Sequence, residues 1–203
     1  MRKLFITGIG TDVGKTFVSA LFTEALHADY WKPVQCGSID NTDSAFVKNH
    51  ISNTKTVIHK EAFLLKAPMS PHAAAELENI SITLDQVCLP ETTNTLIIEG
   101  AGGLMVPLNS ANLVVDLISE FKAEVVLVVK HYLGSINHTL LSIDALKNRN
   151  IPIAGIVFNG ERNEASEKVI LQHYLFPFVT YTDYEPDFSK ETVTKYSKKF
   201  STI

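Results

Sequence analysis

Gly8-Ile9-Gly10-Thr11-Asp12-Val13-Gly14-Lys15-Thr16 is the stretch that decides the fold. It follows the apolar run Leu4–Thr7 and opens the amphipathic stretch Lys15–Leu26, which predicts a strand, a loop and a helix. In such a loop, backbone N–H groups turn inward as an anion nest, and the helix adds about half a positive charge. The Lys15 ammonium can reach outer phosphates, and the Thr16 hydroxyl can bind Mg2+. The sequence therefore predicts a nucleoside triphosphate site, although five residues rather than the usual four separate Gly8 from Gly14.

The rest of the chain alternates between apolar runs and stretches of helical period. The further predicted strands are Tyr30–Val34, Leu96–Glu99, Val125–Val129 and Ile153–Phe158. The further predicted helices are Leu113–Phe121 and Ser135–Lys147. Continuous β-branched runs suit parallel strands that are covered on both faces. We therefore expect a doubly wound, mostly parallel α/β sheet of the P-loop NTPase type, with helices on both faces.

No repeat, low-complexity tract or long linker divides the chain, so residues 1–203 are predicted to form a single domain. The more polar tail after about Asp183 is expected to be a short surface helix or a loose terminus.

Composition limits the classes of function. The formal net charge of -4 argues against a general nucleic-acid binder. No apolar run approaches the roughly 20 residues of a membrane span, and the start of the chain turns glycine-rich too soon for a signal peptide. Cys36 and Cys88 are too few for a disulfide scaffold. A cytoplasmic protein without nucleic-acid or membrane partners is expected.

Phosphoryl transfer requires a metal ion, and two acidic residues are candidate ligands beside Thr16. Glu99 ends a predicted strand and is followed by Gly100-Ala101-Gly102-Gly103. A carboxylate at the carboxyl end of a parallel strand points into the crevice where ligands bind. Asp43 follows Asn41-Thr42, a pattern that by itself is more typical of a helix cap.

The chain resembles the dethiobiotin synthetase family. Besides the phosphate loop, the resemblance rests on Lys32-Pro33-Val34, Pro68-Met69-Ser70-Pro71-His72, Glu99 with its glycines, and Leu133-Gly134-Ser135-Ile136-Asn137-His138. These blocks stand in the family's order from residue 3 to about residue 160. The resemblance implies a Mg-ATP-dependent ligase that joins CO2 to 7,8-diaminopelargonate and closes the ring of dethiobiotin, releasing ADP and phosphate.

The resemblance also implies roles for individual residues. The catalytic residues would be Lys32, Lys15 and Thr11, and the Mg2+ ligands would be Thr16, Asp43 and Glu99. The nucleotide would contact Asp12, Val13, Gly14, Lys15, Thr16, Phe17, Asp43, Glu99, Gly100, Ala101, Gly102, Asn159 and Gly160. The substrate would contact Thr11, Lys32, Cys36, Ser70 and Asn137. Asn137 would serve the partner subunit of a homodimer whose active site lies near the interface.

Three departures from the family pattern stand out. Cys36 replaces a serine in the Lys-Pro-Val-x-Ser-Gly pattern, and a thiol is a weaker hydrogen-bonding group than a hydroxyl. Gly10 and Asp12 stand where relatives often carry Asp and Glu. A Gly-x-x-Pro segment that helps to enclose the purine is replaced by residues 176–184, so we expect looser base recognition that admits nucleotides other than ATP.

Two other functions are compatible with a phosphate loop. A nucleotide switch that acts through a protein or membrane partner would often carry a second lysine early in the loop, where this chain has Ile9-Gly10-Thr11-Asp12. An amidotransferase-type ligase would need a glutaminase domain with a nucleophilic cysteine, for which 203 residues leave no space.

Overall fold

The computed structural model describes residues 1–183, 185 and 188–201. The strands are β1 Lys3–Gly8, β2 Asp29–Trp31, β3 Val34–Cys36, β4 Ile58–His59, β5 Phe63–Leu65, β6 Leu96–Gly103, β7 Glu124–Val129, β8 Ile153–Asn159 and β9 Val179–Thr182. The α-helices are α1 Lys15–Leu26, α2 Asp43–His50, α3 Pro71–Leu77, α4 Val114–Phe121, α5 Ser135–Lys147, α6 Glu164–His173 and α7 Lys190–Ser197. Tyr184, the last residue of the predicted purine segment, lies outside the described residues.

The main sheet, as far as the chain is described, has seven strands in the order β4-β2-β6-β1-β7-β8-β9. Every pair of neighbouring strands is parallel. The chain leaves β1 towards β2 on one side and later crosses to β7 on the other side. The strand order therefore reverses at β1, and ligands bind at the carboxyl ends of strands at such a switch point.

Right-handed crossovers cover the two faces of this sheet. Since β1 to β2 and β6 to β7 run in opposite directions across the sheet, their helices α1 and α4 lie on opposite faces. The central strands are buried on both sides, with Leu96, Ile97 and Ile98 wholly inaccessible to solvent. The doubly wound parallel α/β fold predicted from the sequence is confirmed.

The predicted strand Tyr30–Val34 is wrong as a single element. The chain forms β2 up to Trp31 and then β3 from Val34, and β3 pairs with β5 in a separate two-stranded sheet. Pro33 lies between them and has no N–H to donate to a sheet ladder. The break leaves Lys32 at the end of β2, directly above the carboxyl edge of the sheet.

Of the two alternatives predicted for the tail, the structure contains a short helix, and the loose terminus is wrong. Helix α7 packs against α1, and a single 3-10 turn follows it at Lys198–Phe200. Val193, Tyr196 and Phe200 are at most 1% exposed. Burial of a side chain of this size contributes about 1.5–3 kcal/mol, so three of them hold the segment firmly. The polar residues that suggested a loose terminus lie on the other side of a short amphipathic helix.

Helices α1 and α5 begin and end at the predicted residues, and α4 begins one residue late because Leu113 is its N-cap. The sequence analysis did not identify the short elements α2, α3, α6, β4, β5 and β9. Their apolar faces are too short to show a clear period.

A buried carboxylate fastens α1 to the loop after α2. Glu24, 9% exposed, accepts hydrogen bonds from the Ser52 backbone N–H at 2.8 Å and the Asn53 backbone N–H at 3.0 Å, as well as from both side chains. Burial alone would raise the pKa of the Glu24 carboxyl, but these hydrogen bonds outweigh burial, and its pKa is lowered from 4.5.

Replacing Glu24 by glutamine should reduce the free energy of unfolding by about 1–3 kcal/mol at pH 7, because an amide N–H would face these donors. A carboxylate with a lowered folded-state pKa stabilises the protein above its unfolded-state pKa, and this contribution is lost as pH falls through the folded-state pKa. The difference between wild type and Glu24→Gln should therefore shrink below pH 4.5. Urea unfolding at several pH values tests this, with the exposed Glu120→Gln as control; equal midpoints at pH 7 would contradict it.

Candidate active site

The phosphate loop joins β1 to α1 and depends on glycine at its last turn. Gly14 is the N-cap of α1 and has a φ of 93°, in the left-handed region that favours glycine. A Cβ atom at this position would overlap the Asn159 amide. The Lys15 side chain, 7% exposed, folds back over the loop, and its Nζ donates to the Gly10 carbonyl at 2.9 Å. The loop and its lysine thus form one compact unit.

Strand register brings a lysine and a carboxylate together beside this loop. Trp31 pairs with Ile98, so Lys32 and Glu99 follow at the same level on neighbouring strands. Lys32 Nζ donates to Glu99 Oε1 at 2.9 Å and to the Gly100 carbonyl at 3.2 Å. Thr16, at the start of α1, donates from its hydroxyl to the same Oε1 at 2.8 Å.

Helix α2 delivers the second carboxylate. Thr42 caps this helix by accepting from the Ala45 backbone N–H at 3.1 Å, and Asp43 is its first residue. Gln35 fixes the same helix start because its Oε1 accepts from the Asp43 backbone N–H at 3.2 Å. The Asp43 carboxylate then lies 2.6 Å from Lys32 Nζ. The capping pattern and the site role predicted for Asp43 are therefore compatible, since Thr42 is the cap.

The buried charges shift one another's pKa values. Burial, followed by the nearby Lys32 charge, lowers the pKa of Lys15 to about 8. Burial would also lower the pKa of Lys32, but the Glu99 and Asp43 carboxylates raise it above its ordinary value. Burial would raise the pKa of Asp43, but Lys32 lowers it. Lys32 therefore remains charged between its two carboxylates, whereas Lys15 forms no salt bridge with any carboxylate in the described part of the chain.

The donor set at this point fits Mg2+. The Thr16 hydroxyl is hydrogen-bonded to Glu99. Lys32 Nζ lies 2.9 Å from the Glu99 carboxylate and 2.6 Å from the Asp43 carboxylate, so the three oxygen-bearing side chains lie close together. Two carboxylates and a hydroxyl are hard oxygen ligands, and Mg2+ sites commonly use one or two carboxylates together with water and phosphate oxygens. Among the described residues, no group of three or more His, Cys, Asp and Glu forms a metal cage.

These residues line a cleft of about 930 Å³ at the carboxyl edge of the sheet. The cleft contains most of the predicted site residues: Thr11, Asp12, Gly14, Lys15, Thr16, Lys32, Cys36, Asp43, Ser70, Glu99, Ala101, Gly102, Asn159 and Gly160. Four predicted residues, Val13, Phe17, Gly100 and Asn137, do not line it.

Of these four, Phe17 is 2% exposed, with its ring in the core 4.6 Å from that of Phe188, so its side chain cannot reach a ligand in the cleft. Val13 and Gly100 offer backbone atoms, and their carbonyls bind Asn159 and Lys32. Asn137 is exposed on α5, outside the cleft.

Other cleft residues were missed by the sequence analysis. Gln35 was hidden at an unspecified position of the Lys-Pro-Val motif, and Lys130 follows the apolar strand β7 without any motif. Asp183, Glu185 and Phe188 come from the tail, for which the sequence analysis predicted a short surface helix or a loose terminus and no role in the site. These three residues lie beside the phosphate loop because α7 packs on α1, which the sequence analysis did not predict.

The far end of the cleft is formed by residues already engaged with the protein. Asn159 Nδ2 donates to the Val13 carbonyl at 2.9 Å, and its Oδ1 accepts from the Thr182 hydroxyl at 2.6 Å. The Tyr196 hydroxyl lies 2.7 Å from Asp183 Oδ2 and 2.6 Å from Glu185 Oε1.

Near Lys32, the half-buried Cys36 thiol faces the cleft, and burial raises its pKa to about 11. It is therefore a neutral thiol at physiological pH and no nucleophile.

Comparison with known proteins identifies the family. A family model described as an AAA domain matches residues 2–192. An ATP-dependent dethiobiotin synthetase of Cytophaga hutchinsonii is 53% identical over 200 residues, covering 98% of this chain and 97% of the relative. Synthetases of the same description from Christiangramia forsetii (98% and 96% covered) and Chlamydia pneumoniae (100% and 91%) are 51% and 39% identical. The chain belongs to the ATP-dependent dethiobiotin synthetase family. The predicted function and the predicted class, an ATP-dependent ligase, are confirmed.

Solved structures similar to this member of the dethiobiotin synthetase family share its fold. The cell division ATPase MinD of Pyrococcus furiosus has a TM-score of 0.59 at 17% identity, with 98% of each chain covered. A ParA family ATPase from Chlorobium tepidum has a TM-score of 0.55 at 12% identity, with 98% and 91% covered. At these identities the likeness shows a P-loop NTPase fold and carries no argument for a switch function.

No helix in the described ranges is both long enough and apolar enough to cross a membrane.

Proposed function

We propose that this chain joins CO2 to 7,8-diaminopelargonate at the expense of Mg-ATP and closes the ring of dethiobiotin. The observation that carries the proposal is the cluster of buried Lys32 and Glu99 with half-buried Asp43 and Thr16 beside the phosphate loop. This arrangement combines a phosphate nest, a second lysine at the cleft wall and oxygen ligands for a metal. It suits phosphoryl transfer to a small anionic acceptor.

The reaction needs an acceptor oxygen and a phosphate held in line. One amine of the substrate takes up CO2 as a carbamate, and a carbamate oxygen attacks the γ-phosphorus while ADP leaves. The second amine then attacks the carbonyl carbon, the ring closes and phosphate leaves. Because no residue forms a covalent bond, the protein contributes positioning and charge stabilisation.

Lys15 and Lys32 provide the positive charge for this transfer. Lys15 folds over the phosphate loop, where its Nζ donates to the Gly10 carbonyl, and we assign it to the transferred γ-phosphoryl group. Lys32 lines the same cleft as Cys36 and Ser70, and we assign it to the carbamate. Thr11, exposed in the loop, also lines the cleft and would donate to the same groups. Thr16, Asp43 and Glu99 would hold Mg2+, which when bound neutralises charge on the phosphate oxygens.

The function is tested by phosphate release from Mg-ATP and bicarbonate, with and without 7,8-diaminopelargonate, together with mass detection of dethiobiotin. Release should depend on the diamine and match the product one for one. Lys15→Ala should lower kcat by about 10²–10³, as expected when one charge-stabilising donor is lost. Lys168→Ala, on the exposed face of α6, is the matched control and should retain full turnover. Hydrolysis that is indifferent to the diamine, without new product, would overturn the assignment.

We further propose that base recognition is loose. Asn159 donates one N–H to the Val13 carbonyl and accepts from the Thr182 hydroxyl. The Tyr196 hydroxyl is within hydrogen-bonding distance of the Asp183 and Glu185 carboxylates. These groups have less capacity left to discriminate between bases, because strong discrimination requires polar groups dedicated to the ligand.

The kcat/KM values for ATP, GTP and CTP should therefore agree within roughly tenfold. Steady-state assays at saturating diamine measure this directly. A preference for ATP of several orders of magnitude would contradict loose recognition while leaving the ligase assignment intact.

We also propose a homodimer in which Asn137 completes the site of the partner. Asn137 and Leu141 lie one turn apart on α5, and Leu133 precedes the helix. Leu133 and Leu141 are 104% and 58% exposed, so this face is unusually apolar for a surface in contact with water. The N-terminus of α5 also favours a carboxylate such as that of the substrate.

Mixing Lys15→Ala and Asn137→Ala proteins tests this arrangement. A mixed dimer would contain one site with both changes and one intact site, so random mixing should restore about a quarter of wild-type activity. Each variant alone should stay low at limiting diamine. If both residues belonged to one site within a chain, no activity would return.

Residues 1–203 are proposed to form a single domain, because the main sheet contains both the first and the last strand of the described residues. We also propose that the protein is cytoplasmic. Its two free thiols, Cys36 and Cys88, support this location because the cytoplasm is reducing.

A further inference from the structure

Glu99 has a hydrogen-bonding partner that the reaction does not use. The Tyr30 hydroxyl donates to Glu99 Oε2 at 2.8 Å, and both residues lie in the sheet, 0% and 1% exposed. Tyr30 pairs with Ile97, two residues before Glu99, so strand alternation puts both side chains on the same face. The contact therefore follows from the register of β2 and β6.

The two oxygens of Glu99 have different partners. Oε1 accepts from Thr16 and Lys32, whereas Oε2 accepts from the Tyr30 hydroxyl. Only Oε1 thus faces the group formed by Thr16, Lys32 and Asp43. Since an ionised carboxylate oxygen can only accept, the Tyr30 hydroxyl is the donor in this bond.

We propose that Tyr30 is a positioning residue that restricts Glu99 to one-oxygen coordination of the metal and thereby favours Mg2+ over Ca2+. The inference rests on the proposed metal site at Thr16, Asp43 and Glu99. Mg2+ demands near-octahedral geometry with short bonds, whereas Ca2+ accepts both oxygens of a carboxylate in a larger shell. Holding Oε2 out of the site removes the option that Ca2+ would use.

Phenylalanine at position 30 would retain the ring and remove only the hydroxyl. Glu99 could then rotate and offer both oxygens, because nothing else fixes Oε2 in the described part of the chain. Loss of such an outer hydrogen bond typically weakens metal binding by about 10–100-fold. Mg2+ should be affected more than Ca2+, since bidentate coordination compensates only the larger ion.

The experiment measures calorimetric binding of ADP to the full-length protein at a series of Mg2+ or Ca2+ concentrations. In Tyr30→Phe, the Mg2+ concentration for half-maximal enhancement of ADP binding should rise by about tenfold. The ratio of the Ca2+ midpoint to the Mg2+ midpoint should fall, and ADP binding in chelator should not change. Unchanged metal midpoints in a folded Tyr30→Phe protein would overturn the proposal.

Thr92→Val is the matched control for a lost hydrogen bond to a buried carboxylate. Thr92 donates at 2.7 Å to Asp29, which begins the same strand β2 and is 3% exposed. Both variants should lower the melting temperature, but only Tyr30→Phe should alter the metal midpoints. An equal change in both would assign Tyr30 a merely structural role and overturn the proposal.

Glu99→Gln separates this inference from the proposed metal site. If Glu99→Gln removes the Mg2+ enhancement and Tyr30→Phe does not alter it, the metal site stands and the positioning role fails. If Glu99→Gln also leaves the enhancement unchanged, the metal site itself is wrong and the positioning role falls with it.

A measurement on the wild type keeps the proposal testable should Tyr30→Phe not fold. The slowly exchanging Tyr30 hydroxyl proton should give a downfield NMR signal that persists when Mg2+ and ADP are added. Its disappearance would show that Oε2 had been recruited to the metal and would overturn the proposal.

Discussion

A carboxylate removed from water must be given partners, and the active site is organised around this requirement at Glu99. An unpaired buried carboxylate would cost several kcal/mol, because the interior does not replace its hydration. Here a hydroxyl from α1, an ammonium from the end of β2 and a phenol from the middle of β2 surround it. Each partner comes from an element that must be correctly placed for the charge to be tolerated. Folding of the sheet and assembly of the site are therefore the same event.

The charged residues of the site tolerate removal from water because their charges balance. Lys15 and Lys32 supply two positive charges, and Asp43 and Glu99 supply two negative charges, so the buried group has no net charge. Attraction between close, poorly hydrated charges offsets much of their desolvation cost. A divalent metal ion offsets only part of the negative charge of a triphosphate, so binding the two together brings less charge into the partly buried cleft than binding the triphosphate alone.

Much of this arrangement could be predicted from the sequence, for physical reasons. The residues of the phosphate loop are consecutive in the chain, so their spacing in the sequence determines the geometry of the loop. The long apolar runs indicated the central strands. Glu99 and Lys32 were found because each follows an apolar run that leads towards the carboxyl edge of the sheet, although β6 continues past Glu99 to Gly103. Tyr30 was not, because its role depends on the register between β2 and β6, which no single stretch encodes, and Gln35 was not, because its role depends on the position of α2. Pro33 is a strand breaker, but the apolar residues Tyr30, Trp31 and Val34 around it led to the prediction of a single strand.

The tail illustrates a different limit. Its polar residues dominate the sequence, whereas the three apolar side chains that bury against α1, Val193, Tyr196 and Phe200, have helical spacing but are too few to stand out among them. Prediction is difficult where so short a segment gains its order from the surface that it meets. The residues that line the nucleotide end of the cleft were lost with it.

The packing of α7 on α1 has a thermodynamic consequence. Phe17 lies one turn from the phosphate loop and contacts both Phe188 and Tyr196, so one aromatic cluster borders the loop and the tail. Any ligand that orders the start of α1 also reduces the tendency of the tail to detach, and by reciprocity a well-packed tail strengthens that ligand's binding. Substitutions in α7 that weaken its packing on α1 are therefore expected to weaken nucleotide binding, even at positions that do not contact the nucleotide.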